Sequence, residues 1–275
     1  MRHPFRLLPA LLALLVPALV AGTATPANAA GGTVKIVSAN LGSGPSDVAR
    51  TQVNNMGAQV ATFQEICASE FFRWRNEYGW EGQFSRMTEA HENDRNRCAG
   101  QEKGSAVLHH PALSSTVHRL SLPTGSGPGW VSGKEFNLLC LDIAGIITDD
   151  LYVCTTHLWA GDDRMTGAGE NDAVRRAQIN KAMDWLGPWS SWARRVIFTG
   201  GLNTGPGSST LDPVYGKYQE ATPGDCRCGT DTVDGRKIDY IFGDKPLGGQ
   251  ATSLSLVANG LGDGHKVLRG KITFP

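Results

Sequence analysis

Apolar residues along this chain come in short runs separated by glycine, proline and charged stretches, the signature of strands joined by turns. Val34 to Asn40 alternates and closes on a polar residue, and Val60 to Phe63 is a second run that ends on Gln64-Glu65. Ser105 to Leu108 predicts a third strand, and Leu138–Ile147 with Leu151–Leu158 predicts a pair joined by a polar turn. Val196-Ile197-Phe198 is β-branched and aromatic, is bounded by Gly200 and Gly201, and is followed by Asn203. Lys237 to Phe242 and Val267 to Phe274 complete the strands. Helical spacing marks Asp47–Met56, and more clearly Asp172–Leu186, where Ile179, Ala182, Met183 and Leu186 form a stripe, Asn171 is the expected cap and Pro188 the stop. Residues 85–104 are charged and irregular and read as a surface loop.

The start of the chain follows different rules. Arg2, His3 and Arg6 precede an apolar run from Leu7 to Val20, and small residues lead to Ala27-Asn28-Ala29-Ala30, the layout of a secretory signal peptide over residues 1–30. Pro9 and Pro17 interrupt a run that falls short of the ~20 apolar residues a membrane span needs. The remainder, 31–275, is read as a single domain of a secreted, extracellular monomer with no stable membrane association. Without the leader the chain holds 24 basic and 26 acidic residues, too balanced for a protein held on nucleic acid by a broad basic field. All six cysteines lie beyond the leader, which suggests disulfides. Cys140 with Cys154 suits a cross-strand bridge and Cys67 with Cys98 would tie down the polar loop. Cys226 and Cys228 are left for a tight ring, or for a zinc site as the alternative.

Chemistry enters at the strand ends. Asn40, Glu65, His157, Asn203, Asp239 and His265 each sit in or beside an apolar run. Singly, each has an ordinary explanation as a turn, cap or core residue. Asp239 is the hardest to dismiss, because a buried carboxylate needs a partner. Together they suit attack of water on a phosphate ester. Glu65 can hold a hard divalent cation through oxygen. A His–Asp pair supplies an oriented imidazole, and the second histidine and the asparagines can bind charge developing on phosphoryl oxygens.

These residues, in the order "SANLG", "FQEIC", "TTHLW", "GGLN", "KIDYIF" and "GDGHKVLRGKITF", resemble the endonuclease/exonuclease/phosphatase superfamily, whose members include deoxyribonuclease-I-like and secreted actinobacterial proteins. The resemblance implies an α/β fold, a four-layer α/β/β/α sandwich of two mixed sheets packed face to face with flanking helices. It implies Glu65 as ligand to Mg²⁺ (or Mn²⁺ or Ca²⁺), Asp239 orienting His265, and His157 contacting phosphate. Two positions depart from it: Gly201 stands where the family usually has Asp, and Asp263-Gly264-His265 where it usually has Ser-Asp-His. Asp263 is the candidate substitute ligand.

The expectation is a secreted, divalent-metal-dependent phosphodiesterase or nuclease acting on a phosphate ester, DNA among the candidates. Arg73, Trp74, Arg75, Arg95, Arg97, Trp159 and Arg164 are possible substrate contacts, against ordinary roles as surface cations and core tryptophans. The first alternative is a catalytically impaired homologue that binds rather than cleaves, in which Gly201→Asp with Gly264→Asp restores activity. The second is a phospholipid or inositol-phosphate phosphoesterase.

Overall fold

Neighbouring side chains on the strand through Val196, Ile197 and Phe198 face opposite ways. Val196 and Phe198 enter one apolar cluster, Ile197 another. Leu138 and Cys140 divide from Leu139 and Leu141 in the same manner. A strand covered on both faces needs apolar residues at every position, which is why these segments read as continuous runs.

The computed structural model describes residues 32–87, 98–124, 135–147, 150–161, 168–189, 194–222, 227–229, 231–245, 250–257, 261 and 264–274. In it, β1 (Thr33–Asn40), β2 (Val60–Cys67), β3 (Glu81–Met87), β4 (Lys103–His109), β11 (Gln250–Val257) and β12 (Val267–Thr273) form one six-stranded sheet in the order β11-β12-β1-β2-β4-β3. The other, β5-β6-β7-β8-β10-β9, comprises β5 (Ser114–Leu122), β6 (Phe136–Ala144), β7 (Asp150–His157), β8 (Arg194–Gly201), β9 (Tyr218–Glu220) and β10 (Asp239–Asp244). Both sheets are mixed: β1–β2 and β7–β8 are parallel and the other described pairings antiparallel.

Apolar packing defines the layers. Val34, Ile36 and Val60 of the first sheet meet Leu139, Val153 and Ile197 of the second. Helices α1 (Asp47–Met56) and α2 (Ala68–Asn76) cover the first sheet's other face with Ala49, Val53, Phe71 and Trp74. Helix α3 (Ala168–Leu186) covers the second sheet with the stripe Ile179, Ala182, Met183 and Leu186, joined by Val214 and Tyr215 of the short α4 (Asp212–Lys217). This is the expected α/β/β/α sandwich.

Helix α1 has the expected bounds and ends on Gly57 in the left-handed conformation, φ 60°, that favours glycine at a helix C-terminus. Helix α3 starts earlier than expected, and the side chain of Asn171 lies outside the described residues. The presumed loop at 85–104 is cut at both ends by strands, β3 running to Met87 and β4 starting at Lys103, while residues 88–97 are outside the description. Helix α2 follows β2 without a break, so no turn residue announced it. Two expected disulfides are present, Cys67–Cys98 and Cys140–Cys154, the latter between directly paired residues of β6 and β7. Cys228 is disulfide-bonded as well, which removes it as a zinc ligand, and Cys226 lies outside the described residues.

Trp74 is fully buried and its Nε1 donates to Ser46 Oγ at 2.7 Å, tying α2 to the start of α1. Trp74→Ala is expected to cost about 3–5 kcal/mol, read as a lower midpoint in urea unfolding with little change in slope.

Candidate active site

Between the sheets the contacts turn from apolar to polar toward the carboxyl ends of β1, β2, β7 and β8. Gln64 Nε2 donates to Thr155 Oγ1 at 2.7 Å, and Thr199 Oγ1 to Thr62 Oγ1 at 2.9 Å, with all four residues buried. These bonds hold the two sheets in register where polar groups must be satisfied. Above them lie the expected residues.

Asn40 ends β1 opposite Gln64 of β2, and its Oδ1 accepts from the Gly42 backbone N–H at 3.1 Å. Glu65 sits where the β2–β4 pairing shifts register between Phe63 and Ile66, a bulge rather than the strand end expected from sequence. Its φ of 53° is left-handed, a strained state for a non-glycine residue. Bulges re-aim side chains beside functional sites, and here the carboxylate is carried across to the other sheet. Asn40 Nδ2 donates to Glu65 Oε1 at 3.4 Å, and His157 Nε2 lies 3.2 Å from the same oxygen. Lys103 Nζ lies 3.1 Å from Oε2. Burial pushes the Glu65 carboxyl up, but His157 and Lys103 outweigh it and hold the group well below the usual carboxylate range.

Across the second sheet, the register sets His157 of β7 beside Gly201 of β8, and Gly201 beside Asp239 of β10. His157 is buried, and its Nε2 is also 3.3 Å from Asn203 Nδ2. Asn203 has φ 51°, a conformation asparagine tolerates, and its Nδ2 donates to the Leu158 carbonyl at 2.7 Å. On the far side of Gly201, His265 Nδ1 and Asp239 Oδ2 are 2.8 Å apart, both residues buried. A carboxylate oxygen accepts, so Nδ1 is the donor and Nε2 is left as the basic nitrogen. Asp239 Oδ1 is buried without a hydrogen-bond partner among the described residues.

Gly201 itself joins the two groups. A Cβ there would stand 2.7 Å from His157 Cδ2 and 3.3 Å from both His157 Nε2 and Asp239 Oδ1. The histidine ring occupies the room that a side chain would need.

The structure thus brings together Asn40, Glu65, His157 and Asn203, with the Asp239–His265 pair beside them. Asp263 lies outside the described residues, as do Arg95, Arg97 and Arg164. Of the remaining proposed substrate contacts, Trp74 is core, Arg73 pairs with Glu70 at 2.7 Å and Asp47 at 3.1 Å, Arg75 lies over the Phe71 ring, and Trp159 packs edge-on to Phe136. Lys103 carries no sequence signal of a site role, since it falls in the stretch read as a charged loop. The lysine is 6 % exposed and opens β4, paired with Cys67.

No family model matches the chain, and no curated protein matches it by sequence. Solved structures do match. An endonuclease/exonuclease/phosphatase from Bacteroides vulgatus is 13% identical with a TM-score of 0.67, over 88% of this chain and 99% of that one. The human nocturnin catalytic domain with bound sulfate anion is 13% identical with a TM-score of 0.65, over 88% and 95%. D. rerio TDP2 complexed with single strand DNA product is 12% identical with a TM-score of 0.62, over 87% and 98%. The two-sheet sandwich is shared with each of them over most of its length.

Proposed function

We propose that this chain, which has the endonuclease/exonuclease/phosphatase fold, is a phosphoester hydrolase, and most specifically a phosphodiesterase or nuclease. The observation that carries the reading is the Asp239–His265 pair at 2.8 Å, set beside His157 and Asn203 across Gly201. In this reading His265 Nε2 takes a proton from water as its oxygen bonds phosphorus. The bond to the leaving oxygen breaks, and that oxygen leaves as an alcohol once it has taken a proton. Asp239 fixes the ring tautomer and supports the imidazolium that forms. His157 and Asn203 bind a phosphoryl oxygen where negative charge builds, and Asn40 holds Glu65 in place. Tetrahedral-anion and DNA-product complexes among the similar folds support the substrate class. The protein is read as exported with residues 1–30 removed, the rest acting as one monomeric domain. The paired cysteines support that reading, and among the described residues no helix is long and apolar enough to cross a membrane.

Mg²⁺, or Mn²⁺ or Ca²⁺, is the cofactor expected from the resemblance, with Glu65 and Asp263 as ligands. Glu65 is the described residue that would hold it, with several waters kept on the ion, and Asp263 lies outside the described residues. The Glu65 Oε1 faces Asn40 and His157, and its Oε2 faces the Lys103 ammonium. The steps above use the chain's own groups alone.

The test is a substrate panel: bis(p-nitrophenyl) phosphate, p-nitrophenyl phosphate, plasmid DNA and phosphatidylinositol vesicles. Turnover of bis(p-nitrophenyl) phosphate and plasmid DNA is expected, with Glu65→Ala lowering it about 10–100-fold through loss of charged hydrogen bonds at His157 and Lys103. Turnover of the vesicles alone would move the assignment to lipid esters. Silence on the whole panel would leave a binding protein.

A further inference from the structure

We infer that Thr232 is a positioning residue that holds the Asp239–His265 pair together across the two sheets. The inference rests on the hydrolase reading above and deepens it.

The pair needs such a clamp because its members belong to different layers. Asp239 opens β10 of the second sheet, whereas His265 lies two residues ahead of β12 of the first. Their 2.8 Å bond therefore spans the sandwich. A separation widened by about 1 Å would break it. Apolar packing between the layers is non-directional and does not by itself fix a contact of that length.

Thr232 reaches both members through the main chain. It is fully buried, and its Oγ1 accepts from the Ile238 N–H at 3.0 Å and from the Asp239 N–H at 3.1 Å. Its carbonyl accepts from the Lys266 N–H at 2.9 Å, one residue beyond His265. One residue thus grips the backbone at Asp239 and next to His265. The hydroxyl proton is turned to the Arg236 carbonyl at 3.5 Å, which leaves both oxygen lone pairs for the two amides. Beside it, Lys266 Nζ donates to the Asp231 carbonyl at 2.9 Å, a second tie between the same two segments.

Local sequence explains why a threonine sits there. Asp234 and Gly235 have φ of 42° and 74°, the left-handed pair of a two-residue hairpin turn, closed by mutual backbone bonds between Val233 and Arg236. The turn folds the chain back so that residue 232 meets residues 238 and 239. A β-branched side chain has few χ1 options, so the hydroxyl is held on the two amides at little further cost in entropy. Without that acceptor the Ile238 and Asp239 amides would be buried donors lacking this partner, and the start of β10 would shift to satisfy them.

The experiment compares the full chain with Thr232→Val, which keeps the shape and removes the acceptor, and with Thr232→Ser, which keeps the acceptor. Two readouts are taken: steady-state hydrolysis of bis(p-nitrophenyl) phosphate, and the proton on His265 Nδ1 by NMR of ¹⁵N-histidine-labelled protein, assigned by its loss in His265→Ala. Thr232→Val is expected to lower kcat by up to about 100-fold with KM within about twofold, the effect of a displaced reacting group. Its Nδ1 proton signal should be lost to exchange with water. Thr232→Ser is expected to stay within about threefold of native, since the bonds are kept, and to retain the signal. Thr232→Ala removes the same acceptor without apolar bulk and replaces Thr232→Val in both readouts should that variant not fold. A lower melting temperature with native kcat and a native Nδ1 signal overturns the inference and leaves Thr232 a packing residue. A fall in kcat with the signal intact overturns it too, as does Thr232→Ser behaving like Thr232→Val, or no such signal in the native chain. Loss of the signal with native kcat keeps the clamp and overturns the pair's place in the chemistry. If the native chain turns over no substrate, the hydrolase reading fails and the Nδ1 signal alone decides the clamp.

Discussion

His265→Ala and Asp239→Asn are each expected to lower turnover of a simple phosphodiester by about 10²–10⁴-fold, the loss typical of a missing acid–base group. The two act as a unit, so the double variant should lose little more than either one. His265→Ala removes the proposed base. Asp239→Asn keeps the shape but changes the tautomer: an amide that presents Nδ2–H to the ring turns Nδ1 into the acceptor and moves the proton to Nε2, where a base is needed. The separation of 2.8 Å leaves this bond as the natural control on the ring. Steady-state kinetics check it, with the fall expected in kcat more than in KM and the melting temperature near native for Asp239→Asn. Native rates in both variants would place the chemistry elsewhere.

Gly201→Asp, alone or with Gly264→Asp, is expected to lower both stability and turnover, not to restore a missing function. The backbone at Gly201 is not the obstacle; space is. A Cβ would stand 2.7 Å from His157 Cδ2, closer than real side chains approach, so the imidazole would have to leave Glu65 and Asn203. Overpacking of this kind costs about 1–3 kcal/mol. Gly264 adds a second difficulty, with φ +75° and a Cβ position 3.0 Å from Asp234 Oδ1, so that an aspartate there would be strained and would face another carboxylate. Thermal melts and the phosphodiester assay together check the expectation. A gain in rate with the double variant would show that His157 can yield, and would favour the impaired-homologue reading of the native chain.

Much of the site was legible because its residues break a pattern. His157 and Asp239 interrupt apolar runs whose every other position is buried, and a polar group in such a place needs a reason. Asn40 ends β1 and Asn203 lies two residues beyond β8, at the carboxyl ends of strands where α/β sheets bind ligands. The strands of the interior were equally plain, since burial on two faces removes polar residues from them. Edge strand β5 was not, because most of its side chains are half or fully exposed and its composition resembles a loop. Glu65 could be picked out by type, but the bulge that aims it depends on the β2–β4 register and leaves no local signature. Lys103 was illegible for the same reason: its partner is Glu65, distant in sequence, and only strand pairing joins them. Gly201 carried opposite meanings at the two levels. As a letter it marks a carboxylate that is missing; as a place in the sheet it is the clearance that lets His157 reach across.

The bridge between Cys67 and Cys98 has a consequence for where such a protein can work. It fastens the corner from which Lys103 enters the cluster, so an intact sulfur–sulfur bond and a correctly seated ammonium come as a pair. In a thiol-rich interior the corner would be released and Lys103 left without that anchor. In oxidising surroundings it closes. Treatment with a thiol reductant is therefore expected to loosen the strand pairing at Cys67 and Lys103, read as a lower melting temperature.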